Sequence, residues 1–142
     1  MDVSQLPFNK LIGLELSSKD SGFLVNLPEG LQYTNHLGTV HGSALLAVAE
    51  AGSGAFLLQQ FGDAKDFIPV VRKLEAKFRK PANGKVSARC IVAAAEISRW
   101  NSELSSRGRL SANIAVEVVD AAGTVVLMAV VEWFIARGAQ ND

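Results

Sequence analysis

The chain has 142 residues, enough for one domain with a real core and too few for two independent enzymatic domains. Hydrophobic residues make up 49% of it and 14 basic residues balance 14 acidic ones, which excludes a disordered tail and argues against a partner whose phosphates must be neutralised, such as a nucleic acid. Cys90 is the one cysteine, so there is no internal disulfide framework and no zinc site built from several thiolates, and no metal is expected.

The start, MDVSQLPFNKL, lacks the basic and long apolar stretches of a secretory signal, and no run of about 20 uninterrupted apolar residues is there to span a bilayer. The expectation is a cytoplasmic protein with no membrane partner. Residues 3–11 are expected to form a short helix with Leu6, Phe8 and Leu11 as its apolar face. LELSSKDSGFLVNLP then gives two strand-like runs about Asp20-Ser21-Gly22, turn chemistry suited to a hairpin. Pro28 and Gly30 open a loop that reaches to about Val40.

Residues 41–60, HGSALLAVAEAGSGAFLLQQ, are rich in Ala and Leu and free of proline, with Gly62-Asp63 after them as a stop, and they predict a helix. It is apolar nearly all round, so it must be buried on most sides. Gly52 and Gly54 lower its helix propensity while permitting close approach of a neighbour.

From Pro69 the pattern changes to period two. Leu74, Ala76 and Phe78 alternate with Lys73, Glu75, Lys77 and Arg79, which predicts a strand with one wet face. Arg72 falls in the apolar phase with Leu74 and Phe78, and the sequence offers no account of it. Pro81-Ala82-Asn83-Gly84 turns the chain, and KVSARCIVAAAEI is expected to be the next strand. Residues 98–108 read as a polar insert with room for one helical turn. RLSANIAVEVVD and TVVLMAVVEWFIAR follow as two strands joined at Ala121-Ala122-Gly123. The class is therefore α+β, with a long curved antiparallel sheet covering a single central helix.

Glu50 is the only ionisable residue between His41 and Asp63 and lies in the middle of the most apolar segment. Burying a carboxylate without partners is unfavourable or raises its pKa, so the placement marks it as a candidate catalytic group. The alternative is a glutamate at a solvent-facing notch or paired with a lysine. His41 and Gly42 open the helix, where unpaired N–H groups and the dipole favour developing negative charge, a natural oxyanion site; the alternative is that they only start the helix. Asn35 and His36 lie on the loop before it, beside Gly38, where an asparagine either places its amide near a reacting group or simply forms the turn.

Helix geometry constrains how these residues can cooperate. His41 and Glu50 are nine positions apart, so they project from opposite sides and stand on the order of 13 Å apart along the axis. They cannot share one site within one chain. If both are catalytic, Glu50 of one chain must face the Gly42 amide of the other in a two-fold dimer.

The run N-H-L-G-T-V-H-G-S-A-L-L-A-V-A-E-A from Asn35 to Ala51 resembles the signature of hotdog-fold acyl-CoA thioesterases of the phenylacetic-acid-degradation type. That pattern is an Asn, a Gly-containing turn, His-Gly-Gly, and an Asp or Glu nine residues after the His. The order of elements is similar over nearly the whole chain, including Lys80-Pro81-Ala82 followed by Gly84. Ser43 stands where the second glycine of the signature lies, Glu50 where Asp is more usual, and Val71 where some members carry a hydroxyl.

The resemblance implies a single hotdog domain over residues 1–142 that hydrolyses thioesters of coenzyme A or acyl carrier protein to free acid and thiol. Glu50 would be the general base or nucleophile, the Gly42 amide would polarise the carbonyl, and Asn35 and His41 would orient substrate or water. No cofactor is implied beyond the coenzyme A that forms part of the substrate. Arg79, Lys80 and Lys85 are candidate partners for its phosphates, against the alternative of a solvated charged face. Ala-rich, Phe-containing walls suit an apolar acyl group. The expected assembly is a homodimer, or a homotetramer of two such dimers. Two other readings share the fold. His36 and Glu50 have a spacing similar to the catalytic His and Glu of acyl-carrier-protein dehydratases, and a non-catalytic acyl-thioester-binding dimer needs no reacting group at all.

Overall fold

The computed structural model describes residues 1–62 and 66–138. At the N-terminus a 3-10 turn, Val3–Gln5, is capped by Asp2, whose carboxylate accepts from the Ser4 N–H at 2.8 Å, and helix α1 (Pro7–Leu11) follows. The expected continuous helix is broken because Pro7 has no N–H and forces Leu6 to be extended, at φ −61° and ψ 137°. The expected apolar face is also corrected: Leu6, Phe8 and Leu11 are exposed, and the segment docks through Val3 and Asn9, whose amide donates to the Val3 carbonyl at 2.9 Å. Strands β1 (Glu15–Leu16) and β2 (Val25–Leu27) form the expected hairpin, though only Glu15 with Asn26 and Leu16 with Val25 are paired.

Helix α2 (Gly42–Phe61) is the predicted central helix. It begins at an extended His41 and ends at Gly62, whose φ of 70° suits a residue without a side chain. Asp63, the other residue expected to stop it, lies outside the described residues. By length and composition α2 would be long and apolar enough to cross a bilayer, against the expectation that no segment is. Its apolarity has a core partner here, since Leu45, Val48, Ala49, Ala51 and Leu57 are buried against the sheet.

Beyond α2 come β3 (Phe67–Phe78), β4 (Val86–Ile91), α3 (Ala94–Arg107), β5 (Arg109–Val119) and β6 (Val125–Arg137). All pairings in the six-stranded sheet are antiparallel, in the order β1-β2-β4-β5-β6-β3. A curved antiparallel sheet packed on one long helix is the hotdog fold, as expected.

Two local expectations fail. The strand expected to continue through Ile97 stops at Ile91, and the supposed polar insert is mostly the 14-residue helix α3. Ile97, Trp100 and Leu104 lie three and four residues apart and form its core-facing stripe, the first partly and the other two fully buried, with Trp100 edge-on to Phe56 of α2 at 6.4 Å between rings. Arg99 bridges Glu96 at 3.0 Å and Glu103 at 2.8 Å along the wet side, and Gly108 closes the helix in the left-handed conformation.

The anomaly of Arg72 is a β-bulge. The register of β3 on β6 shifts between Val71 and Lys73, leaving Arg72 as the extra residue, with its guanidinium over the Phe134 ring at 5.5 Å. The bulge reverses the alternation. Phe67, Pro69 and Val71 share a face with Ile135 and Trp133 before it, and Leu74 and Ala76 share that face with Val131 and Ala129 after it. Without the extra residue one half of β3 would turn its apolar side chains outward.

Candidate active site

Glu50 lies halfway along α2 and is partly buried. Among the described residues no donor or cation meets its carboxylate, and burial pushes its pKa above the ordinary carboxylate value. A pairing with lysine, the alternative weighed from sequence, is not what the fold makes. The residue borders a cavity of about 340 Å³ whose walls include Val3, Leu6, Leu57, Phe67 and Trp133. The N-terminal turn, α2, the start of β3 and Trp133 of β6 thus converge on one carboxyl group.

Next to it lies a polar relay inside the core. Trp133 Nε1 donates to Ser53 Oγ at 2.8 Å, and that hydroxyl donates to the Glu50 carbonyl at 2.7 Å. Ser53 is fully buried, so the relay satisfies groups that would otherwise be costly there. Sequence reasoning missed Trp133, Ser53 and the N-terminal turn as site residues. The inward phase of β6 was a usable signal for Trp133; nothing local pointed to the turn.

His41 caps α2: its Nδ1 accepts from the Ser43 N–H at 3.0 Å, which places the proton of the neutral ring on Nε2. Its carbonyl accepts from the Ala44 and Leu45 N–H groups at 2.9 and 3.1 Å. Among the described residues the Gly42 N–H alone of this first turn has no acceptor, the condition for an oxyanion donor. His41 borders a second cavity of about 300 Å³, with Phe8, Tyr33 and Ala47.

Asn35 does the work of a turn former. Its Oδ1 accepts from the Leu37 and Thr39 N–H groups at 2.9 and 3.2 Å, and its Nδ2 donates to Thr39 Oγ1 at 3.0 Å. His36 is exposed on the same loop and takes no part in the Glu50 cavity. One chain therefore brings Asn35, His41 and Gly42 together at the start of α2 and leaves Glu50 on a different cavity.

Arg79, Lys80 and Lys85 are exposed on the segment that follows β3. That segment stands at the Gly42 end of α2: the Val40 N–H donates to the Ala82 carbonyl at 2.9 Å, and a Cβ on Gly42 would lie 3.2 Å from Phe78. The lone thiol, Cys90, has its pKa pushed up to about 12 by burial and points at the Gly52 carbonyl, so it is no nucleophile at neutral pH.

Comparison with known proteins adds to this geometry. A family model described as a domain of unknown function (DUF4442) matches residues 5–135. No curated protein matches the chain. Among solved structures it is similar to PA5026 of Pseudomonas aeruginosa, called a protein of unknown function and probable thioesterase, at 25% identity and a TM-score of 0.81 over 96% of this chain and 91% of that one. A Bacillus halodurans protein, BH2602, solved with CoA, is similar at 21% identity and a TM-score of 0.67, over 90% of this chain and 74% of that one. A glutamine-to-alanine mutant of the thioesterase PA1618 of Pseudomonas aeruginosa is similar at 18% identity and a TM-score of 0.68, over 95% and 89% of the two chains. The last two likenesses show the fold alone.

Proposed function

The chain belongs to the DUF4442 family, and we propose that it hydrolyses acyl thioesters, with Glu50 as the essential carboxylate. The observation that carries this reading is a partly buried carboxyl group of raised pKa on an apolar cavity, with no donor or cation on it among the described residues. As a general base it would take a proton from water as the water oxygen adds to the thioester carbonyl; the C–S bond then breaks and the thiolate leaves with a proton. The thioesterase description of the 25%-identical structural relative supports the same reaction class. The closer likeness to the phenylacetic-acid-degradation type rests on residues 35–51.

The oxyanion donor in this reading is the Gly42 N–H of a second subunit, because Gly42 stands at the start of α2 and does not line the Glu50 cavity of its own chain. A two-fold dimer supplies it. β3 ends the sheet, so among the described residues one of its edges has no neighbouring strand, and Ile68, Val70 and Phe78 on it are exposed, as a surface awaiting cover would be. Asn35 supports the site by fixing the loop ahead of α2, and His41 by capping that helix. Coenzyme A is the proposed carrier, supported by the CoA in the Bacillus halodurans structure, with Arg79, Lys80 and Lys85 as its phosphate partners.

The test is a panel of acyl-CoA and acyl-carrier-protein thioesters followed by free-thiol release, with the wild type beside Glu50→Gln. Release that depends on Glu50 supports the reading; its absence with every thioester would overturn it.

A further inference from the structure

Phe8 and Leu11 of helix α1 are exposed, as is Leu6 before it, whereas Asn9 on the same helix is only 6% exposed. Burying an amide costs free energy that burying a leucine does not, so packing alone would favour the reverse arrangement. Asn9 Nδ2 donates to the Val3 carbonyl at 2.9 Å, but that carbonyl also accepts from the Leu6 N–H at 3.3 Å and would not be left without a donor. A carbonyl can only accept, so the contact turns the amide nitrogen toward Val3 and the oxygen away from it. Among the described residues no donor meets Asn9 Oδ1, and the one side-chain nitrogen or oxygen sealed from solvent without a partner is Trp100 Nε1. The Asn9 oxygen therefore opens on free space, and the space that Asn9 borders is the Glu50 cavity. Apart from Glu50 and the Trp133 indole, whose N–H goes to Ser53, the other described side chains on this cavity are apolar.

We propose that Asn9 Oδ1 holds the water that Glu50 activates. The inference rests on the thioester reading of the same site and adds to it a second group that touches the reacting water. A water molecule in an apolar cavity needs an acceptor for each of its two protons. One O–H points to the Glu50 carboxylate and the other to Asn9 Oδ1, which leaves a lone pair on the oxygen for the thioester carbonyl carbon. As the C–O bond forms, the first proton passes to Glu50 and the second stays on the oxygen, hydrogen-bonded to Asn9. When the C–S bond breaks, the sulfur takes its electron pair and the proton held by Glu50, so free acid and thiol leave and the carboxylate is restored. An amide suits the second position because it neither gains nor loses a proton near neutral pH and so does not compete with Glu50 for the first.

The discriminating variant is Asn9→Leu, which keeps a branched side chain of similar size and removes the acceptor. Asn9→Ala removes the same oxygen without filling its place and serves if leucine overpacks the site. The variant that keeps the wild-type circular dichroism is compared with the wild type on the acyl-CoA that the wild type hydrolyses fastest. Its kcat should fall by about tenfold or more, the scale of one hydrogen bond lost from a reacting group, while KM stays level because Asn9 holds water rather than the acyl group or its carrier. Combination with Glu50→Gln supplies a readout that a merely structural role would not move. Once the base is gone, losing the second acceptor of the water should cost little more, whereas general damage to the cavity multiplies with the loss of Glu50. A folded Asn9 variant with wild-type kcat, or one whose loss repeats in full in the Glu50→Gln background, would overturn the role of Asn9 and leave the hydrolase reading standing. An absence of thiol release by the wild type with every thioester would overturn both.

Discussion

Gly52 and Ala88 bring helix and sheet together at a distance that no side chain allows: a Cβ on Gly52 would lie 2.7 Å from the Ala88 Cβ. Ala88 is fully buried on β4 between β2 and β5 and has no flexible end to yield. Gly52→Ala should therefore destabilise the protein by about 1–3 kcal/mol, the scale of overpacking a close-fitted core, although alanine is favoured in a helix by roughly 1 kcal/mol. Denaturant unfolding checks the sign. A gain in stability would mean that α2 does not rest on β4 this closely.

Glu50→Gln should lower turnover by about 10² or more, the scale of a lost general base, while the fold survives. Among the described residues no donor or cation meets the carboxylate, so the amide has no such contact to replace and the melting temperature should stay level or rise. Near-normal turnover in a folded variant would assign Glu50 a structural role.

Burial raises the Glu50 pKa above its ordinary 4.5, which has consequences of known sign for both rate and stability. The base must be ionised, so kcat/KM should fall as pH drops through a limb lying above 4.5, and Glu50→Gln should abolish that limb. For stability, the folded state holds the proton in a pH range where the unfolded chain has released it, so stability declines as pH rises from 4.5 through the folded pKa. The stability advantage of Glu50→Gln over the wild type should accordingly grow across that window and level off above it. Paired unfolding curves at several pH values measure this; a gap that shrinks as pH rises would contradict a raised pKa.

Gly42→Pro removes one N–H and little else. The preceding His41 is already extended, at φ −62° and ψ 139°, as a residue before proline must be, and proline suits the first position of a helix. The methylene facing Phe78 meets a half-exposed ring that can give way. Activity should drop by about 10²–10³, typical of a lost oxyanion donor, with the circular dichroism unchanged. Mixing inactive Glu50→Gln and Gly42→Pro subunits tests the two-subunit site: with random exchange half of the dimers are mixed and one of their two sites is intact, so about a quarter of wild-type activity should return. Background activity after exchange has been verified by mass would place the oxyanion donor elsewhere.

Much of the fold is local information. The apolar run of α2, its length and its single ionisable residue are written in consecutive residues, and they foretell both a covered central helix and a carboxyl group under strain of solvation. The paired strands β5 and β6 follow from their alternation in the same way. The helix α3 is also written locally, in the spacing of Ile97, Trp100 and Leu104, but its polar wet side outweighs these three core-facing positions. Tertiary structure decided the rest. Arg72 leaves the alternation only because β3 slips on β6, a matter of cross-strand register that β3 alone does not contain. Ser53 and Trp133 are 80 residues apart and meet only when the sheet has curved over α2. The walls of the Glu50 cavity come from the first turns of the chain, from α2, from the start of β3 and from β6, because a concave site is the space left between elements, and that space is fixed by their packing rather than by the sequence of any one of them.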